Sequence, residues 1–277
     1  MKRSLWLLII VGICGFMSSC QKPFEQPVDV VIPVTYDTDA VQFFDSASIS
    51  DTISKNALNS FIKALKDSSL WSKFIAIYPM VGGSATSAMY NLKDPRNSDD
   101  AFRLTFNGAP LFSQTGVLFP TNNDYADTHF SDSLFTYDDN AISYYSLTQN
   151  TVDGYDMGCA DNATYYNEFA IYNGGDASNW FGYYAFGINP AKTVGLFMMS
   201  STLSDVKRYE NGIPTDAKGS APTAGATNFP VLIGYVYAAD SGGHRECGLA
   251  TIGQGLSDSE ALTFYHIVQN FEASLGR

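Results

Sequence analysis

The sequence predicts an all-β protein, an antiparallel two-sheet sandwich with one helix early in the folded part and one at its end. Short β-like segments separated by Gly-, Asn- and Asp-containing turns occupy most of residues 74–237, a pattern typical of sandwiches and barrels. Strands and helices do not alternate, which argues against a parallel α/β sheet. Helical periodicity predicts helices within residues 54–66 and 257–275.

Residues 1–19 have the composition of a secretory signal peptide. Lys2 and Arg3 precede the apolar stretch Leu5–Phe16, which is shorter than the about 20 residues that a transmembrane helix needs. The stretch ends at Met17–Cys20, which resembles the lipobox of bacterial lipoproteins. That resemblance implies cleavage before Cys20 and acylation of this cysteine, so we expect a membrane partner through the lipid anchor.

The expected localisation is the cell envelope. Gln21 stands where an aspartate is associated with inner-membrane retention in some bacteria, so its presence favours the outer membrane. Removal of residues 1–19 takes away two positive charges and no negative ones, so the net charge of −12 becomes −14. This acidic balance argues against nucleic acid as a partner.

Residues 20–50 are predicted to be an extended tether, because Pro23, Pro27 and Pro33 lie among polar and β-branched residues. The folded domain is predicted to span residues 51–277. It begins with a helix over Ser54–Lys66, in which the apolar residues of one face are Leu58, Phe61, Ile62 and Leu65.

The predicted strands follow this helix in close succession. They are Phe74–Met80, Phe102–Phe106, Gly116–Phe119, Tyr125–Phe130, Ala141–Leu147, Phe169–Tyr172, Phe181–Phe186, Gly195–Ser200, Asp205–Glu210, Ile213–Asp216 and Val231–Tyr237. Asn211-Gly212 between two of them predicts a hairpin with a type I′ turn, since both central residues of that turn need positive φ.

The end of the sequence predicts an amphipathic helix that packs on the sandwich. Ser257 and Glu260 fit a capping box, in which each side chain satisfies a free backbone N–H. The apolar positions that follow at spacings of three and four are Phe264, Ile267, Val268, Phe271 and Leu275.

Three stretches resemble concanavalin A-like, LamG-type jelly-roll domains of bacterial surface lipoproteins and phage virion proteins. They are Asn91–Gly108, the hairpin Val206–Ile213 and the strand–helix segment His244–Gly276. The resemblance implies a concanavalin A-like jelly roll. It assigns no function, because this superfamily includes lectins, glycosidases and adhesion modules.

Residues suited to catalysis are scarce, and we predict no catalytic residue. Glycosidases need two carboxyl groups that face one bond, and the glutamates here are isolated along the chain. No Gly-x-Ser-x-Gly elbow occurs, and His129, His244 and His266 are the candidates for a general base. No zinc motif occurs either. A hydrolase whose carboxylates converge from separate strands stays a less favoured alternative.

Two features suggest binding. Asp124 and Asp127 begin an aspartate-rich segment that offers oxygen ligands for calcium; ordinary loop aspartates are the alternative, and no other cofactor is expected.

Aromatic and amide residues around the Gly174–Asp176 turn are suited to sugars, because rings stack on sugar faces and amides bind hydroxyls. They are Tyr165, Tyr166, Asp176, Asn179 and Trp180; burial in the core is the alternative for the aromatic ones.

Cys159 and Cys247 remain after the signal peptide and Cys20 are set aside. A disulfide and two separately buried thiols are both open for an exported domain.

The function predicted from the sequence is a lipid-anchored, non-enzymatic recognition or adhesion module that binds glycan. A structural or protein–protein interaction module that contacts a surface protein is the alternative.

Overall fold

The computed structural model of the chain describes residues 35–136, 138–150, 152, 154–159, 169–173, 179–181, 184–186, 194–219, 229–236 and 241–277. Their helices are α1 (Thr38–Ala47), α2 (Thr52–Asp67), α3 (Ala85–Ala88) and α4 (Asp258–Ser274). Their strands are β1 (Phe74–Tyr78), β2 (Thr105–Asn107), β3 (Leu111–Phe112), β4 (Val117–Leu118), β5 (Tyr125–Ser131), β6 (Asn140–Ser146), β7 (Gly154–Cys159), β8 (Phe169–Asn173), β9 (Asn179–Phe181), β10 (Tyr184–Phe186), β11 (Gly195–Ser201), β12 (Val206–Glu210), β13 (Ile213–Lys218), β14 (Pro230–Ile233) and β15 (Glu246–Gly253).

The strands form two antiparallel sheets. The first sheet has the order β13-β12-β11-β6-β15-β4-β3, and β1 pairs with the later part of β15. The second sheet has the order β10-β9-β8-β7-β14-β5-β2. The predicted all-β, two-sheet antiparallel sandwich with an early and a late helix is therefore confirmed.

The first sheet is buried on both faces, which the strand β11 illustrates. Phe197 and Met199 belong to the core between the two sheets, whereas Leu196 and Met198 belong to a second core that the helices cover. A strand that is covered on both faces needs apolar residues at consecutive positions rather than at alternate ones. This requirement explains the continuous apolar run in β11.

The helices α2 and α4 pack side by side on this outer face. The rings of Phe61 and Phe271 lie 4.7 Å apart between centroids, and burial of one such side chain contributes about 1.5–3 kcal/mol. The predicted capping box of α4 is confirmed: Ser257 N donates to Glu260 Oε2 at 2.9 Å, and Glu260 N donates to Ser257 Oγ at 3.4 Å. The predicted helix at residues 54–66 is confirmed as α2.

The hairpin between β12 and β13 has the predicted turn. Asn211 and Gly212 both have positive φ, 51° and 75°, as a type I′ turn requires. Gly212 also lies against α4, where an added Cβ would come within 2.9 Å of the Leu262 Cα. Glycine is therefore needed here for its backbone conformation and for the close approach of the helix.

The prediction of an extended tether as far as residue 50 is wrong, because residues 38–47 form α1. Asp37 caps this helix by accepting a hydrogen bond from Asp39 N at 3.0 Å. Its buried face consists of Ala40, Phe43, Phe44 and Ala47, and burial of these side chains holds the segment on the domain. The part of the predicted tether that lies before residue 35 is outside the described residues.

Two strand predictions differ from the structure in their extent, and one further strand was not predicted. Phe102 has a φ of 58° after a short 3-10 turn, so the strand predicted over residues 102–106 begins only at Thr105. Residues 181–186 do not form one strand, because Phe181 pairs with Tyr184 across a hairpin between β9 and β10. The strand β7 was not predicted, because its two glycines and one aspartate weaken the β signal.

In the part of the chain that the structure describes, no helix has the length and apolar character needed to cross a membrane.

Candidate binding groove

One wall of the candidate site is the solvent-facing side of α1. Gln42, Asp45 and Ser46 lie three and four positions apart, so they share one face of the helix. Because the opposite face of α1 is fixed in the core, these three side chains are held at defined positions above the domain surface.

The other wall is the loop over residues 90–97, which a buried amide fixes. The Asn91 side chain is 1% exposed. Its Oδ1 accepts hydrogen bonds from Ile77 N and Lys93 N, both at 3.0 Å, and its Nδ2 donates to Ala101 O at 3.1 Å. One side chain thus ties the loop to β1 and to the turn that follows the loop.

Lys93 anchors the same loop against the end of α2. Its Nζ donates to Trp71 O at 2.7 Å and lies 3.7 Å from the centroid of the Trp71 ring. Burial lowers the pKa of Lys93 to about 8. The Lys93 ammonium thus contacts Trp71 and holds the loop against it.

Arg96 in this loop is bound by two carboxylates. Its Nε lies 2.9 Å from Asp94 Oδ1, its Nη2 lies 2.6 Å from Asp94 Oδ2, and its Nη1 lies 3.1 Å from Asp100 Oδ2. The hydrogen bond from Arg96 lowers the pKa of Asp94 below its usual value. The positive charge of the Arg96 guanidinium is therefore compensated by these two carboxylates.

Together these walls enclose an open groove of about 610 Å³, which we call the α1 groove. Its volume lies within the range of small-molecule sites, about 300–1,000 Å³. Among the described residues, four of its side chains make no hydrogen bond or ion pair within the chain. They are Gln42, Asp45, Ser46 and Tyr90. The lining is completed by Asp94, Pro95, Arg96 and Asn97.

A second polar groove, of about 560 Å³, lies at the start of α4, and its polar groups bind one another. Lys207 Nζ lies 2.9 Å from Asp258 Oδ1 and 3.3 Å from Asp205 Oδ2. Tyr209 donates its hydroxyl to Asp258 Oδ1 at 2.8 Å. A ligand would have to break these bonds, so the α1 groove is the better candidate for binding.

The aromatic residues predicted to bind sugar are not brought together by the described structure. Tyr165, Tyr166 and Asp176 lie outside the described residues. The structure places Asn179 and Trp180 in β9, where Trp180 pairs with Ala185, but describes only their backbone. The role predicted for these five residues stays a prediction.

Cys159 and Cys247 are not joined by a disulfide in the structure, and both are buried. Cys159 ends β7 in the second sheet, and Cys247 lies in β15 in the first, both within the inter-sheet core. Burial raises the pKa of Cys247 well above its usual value, so this thiol stays protonated. Of the two alternatives, the structure has the separately buried thiols.

The two predicted calcium ligands accept hydrogen bonds from the backbone. Asp124 is 3% exposed; its Oδ1 accepts from Ala109 N at 2.6 Å and its Oδ2 from Thr121 N at 2.8 Å. Asp127 Oδ1 accepts from His129 N at 2.7 Å. The described part of the chain has no cluster of three or more histidine, cysteine or acidic residues that could hold a metal ion. Asp124 is thus a buried carboxylate that closes a loop.

Sequence reasoning missed the α1 groove, because its walls are about 50 residues apart and meet only in the folded chain. One signal was present: the apolar positions of α1 repeat at spacings of three and four behind Asp37, which is a helix signature. It places Gln42, Asp45 and Ser46 on a solvent-facing side.

Comparisons with known proteins leave the family open. No protein-family model matches the chain, and no curated protein matches it. Membership of the concanavalin A-like, LamG-type superfamily therefore stays a prediction.

The comparison with solved structures found matches of low identity. Domain 4 of AbnA, a GH43 extracellular arabinanase from Geobacillus stearothermophilus, in complex with arabinotriose, is 15% identical, with a TM-score of 0.47 over 69% of this chain and 98% of that one. The receptor binding domain of botulinum neurotoxin C/D mosaic serotype is 10% identical, with a TM-score of 0.46 over 71% of this chain and 51% of that one. The chain thus spans about half of the neurotoxin domain. At these identities and TM-scores no function is carried over.

Proposed function

We propose that this chain is a lipid-anchored, non-enzymatic recognition module of the bacterial cell envelope that binds glycan in the α1 groove. The observation that carries the proposal is the row of uncommitted polar groups from Gln42, Asp45, Ser46 and Tyr90 in one open groove. Such groups lose hydrogen bonds to water when a ligand covers them, so the ligand must supply replacements.

A polyhydroxylated ligand meets this requirement. Each sugar hydroxyl both donates and accepts, so it pairs equally with the carboxylate of Asp45, the amide of Gln42 and the hydroxyl of Ser46. The Tyr90 side chain, 7% exposed, belongs to the core and lines the groove with the small part that reaches solvent.

The ionisation of nearby carboxyl groups supports binding without turnover. A glycosidase needs a general acid whose pKa is raised toward neutral pH. Hydrogen bonds from Arg96 and Lys207 instead lower the pKa values of Asp94 and Asp258. Glu272 does have a raised pKa, but it is 1% exposed and reaches neither groove.

The placement on the envelope rests on the sequence. A diacylated Cys20 would hold the protein on the membrane, since two acyl chains anchor far more firmly than one. Gln21 favours the outer membrane, as noted above.

The test is a glycan array on the mature chain, residues 20–277, made soluble by Cys20→Ala. Binding to any array glycan is followed by calorimetric titration of Asp45→Asn. A hydrogen bond to a charged group contributes about 1.5–3 kcal/mol and one to a neutral group about 0.5–1.5 kcal/mol, so this change should weaken binding by about 5- to 13-fold.

The matched control is Asp67→Asn, which removes the same charge from an exposed helical position outside the groove. It should bind as the unmodified chain does. Absence of binding to every glycan, or equal affinity of Asp45→Asn and the control, would refute the proposal. Release of reducing sugar from a bound polysaccharide would refute the non-enzymatic part.

A further inference from the structure

We infer that the α1 groove selects glycans that carry a free amino group over neutral glycans and rejects glycans that carry carboxylate or sulfate. This inference rests on the proposed function and adds the chemical class of the ligand. Asp45 is the residue to which the structure assigns the contact with the amino group.

The charges around the groove have an excess of negative sign. Asp45, Asp94 and Asp100 contribute three carboxylates against the single guanidinium of Arg96. Asp94 and Asp100 both pair with Arg96, whereas Asp45 has no hydrogen bond or ion pair in the part of the chain that the structure describes. A cationic ligand therefore finds one carboxylate whose charge is not yet compensated.

Arg96 does not make the groove an anion site. Three of its nitrogen atoms already donate to carboxylate oxygens, two of them to Asp94. An acidic sugar would have to displace those bonds, or accept from the remaining N–H groups while close to three carboxylates. Both routes cost binding free energy, because like charges repel and the Arg96 bonds are bidentate.

Two lysines of the neighbouring segments are bound to other groups of the chain. Lys93 directs its ammonium at Trp71, and Lys66 pairs with Asp37 at 2.7 Å and with Asp39 at 2.6 Å. Neither lines the groove. Neither of these two ammonium groups is therefore available to attract an acidic glycan.

The preference for an amino group should be modest and sensitive to salt. Exposed ion pairs change an equilibrium by about 1.5- to 5-fold, and 0.5 M salt screens charges over a few ångströms. The amino glycan should therefore bind about 1.5- to 5-fold tighter than its neutral counterpart at 50 mM NaCl, and equally at 0.5 M.

The experiment titrates three tetrasaccharides with one β-1,4-linked gluco backbone into the soluble mature chain: a glucosamine tetramer, cellotetraose and a glucuronic acid tetramer. The expected order of affinity is amino, neutral, acidic. Asp45→Asn should remove the difference between the amino and neutral tetramers, and Asp67→Asn should retain it.

Four outcomes would overturn the inference. They are equal affinities for the three tetramers, tighter binding of the acidic tetramer, no binding of the amino tetramer, and a preference for the amino tetramer that survives Asp45→Asn. Failure of the proposed function is a separate result, because it requires that no glycan of the full array binds.

Discussion

Glu272 on α4 provides a test of the packing between the helices and the first sheet. Its side chain is 1% exposed, and Oε2 lies 2.5 Å from Arg277 Nε. Burial raises the pKa of Glu272 from 4.5 to about 7, against the opposing effect of Arg277. The perturbation is Glu272→Gln, which keeps the shape of the side chain and removes its ionisation.

The sign of the effect follows from the direction of the pKa shift. A carboxyl whose pKa is higher in the folded than in the unfolded state stabilises the fold below its unfolded pKa, here about 4.5. That contribution is lost as the pH rises through about 7. At about 1.4 kcal/mol per pKa unit, the loss between pH 4 and pH 8 amounts to about 3 kcal/mol.

The assay is urea unfolding of the soluble mature chain and of Glu272→Gln at pH 4, 6 and 8. The variant should be about as stable as the unmodified chain at pH 4, where a pKa of about 7 leaves Glu272 of the folded chain protonated and uncharged. Relative to the unmodified chain, its free energy of unfolding should rise by about 3 kcal/mol between pH 4 and pH 8. A difference between the two that is constant with pH, or one that changes in the opposite direction, would refute the reasoning.

Three further outcomes are expected. Cys20→Ala should leave the protein unprocessed or in the aqueous phase on detergent partitioning, and equal partitioning of both mature forms into detergent would contradict the anchor. Mass spectrometry of non-reduced tryptic peptides should show Cys159 and Cys247 as separate thiols, alkylated only after unfolding; a linked peptide pair would contradict the structure. Gly212→Ala should lower the free energy of unfolding by about 1–3 kcal/mol, because a side chain there needs a left-handed backbone and meets Leu262. Thermal and urea unfolding measure this loss, and a variant as stable as the parent would show that the hairpin moves away from α4.

The fold class and both predicted helices followed from local patterns. The capping box at Ser257, the Asn211-Gly212 turn and the apolar face of α2 each specify their structure within a few residues. Such elements are predictable because the hydrogen bonds and buried surfaces that define them are encoded in adjacent sequence.

Other elements depend on distant contacts. Phe102 adopts its left-handed conformation next to a turn, where the apparent strand alternation of residues 102–106 had suggested extended backbone. β7 contains Gly154 and Gly158, which favour no strand in isolation, yet it pairs with β8 and β14 in the centre of the second sheet. Tertiary pairing here outweighs intrinsic propensity.

The candidate site could be predicted least. The α1 groove exists because Asn91 and Lys93 hold a loop beside a helix from another part of the sequence. These contacts determine which polar side chains of the groove are left without a hydrogen bond or ion pair among the described residues. Asp94 and Asp45 look alike in the sequence, but only Asp94 is neutralised by Arg96.

The position of β15 in the first sheet has a consequence for the order of folding. This late strand lies in the sheet interior, between β6 on one side and β1 and β4 on the other, and it brings Phe74 beside Gly253. Ribosomes add about 5–20 residues per second, so about 10–30 s separate the synthesis of β1 from that of its partner. Until then the sheet cannot close, and the many distant pairings make folding slow even afterwards.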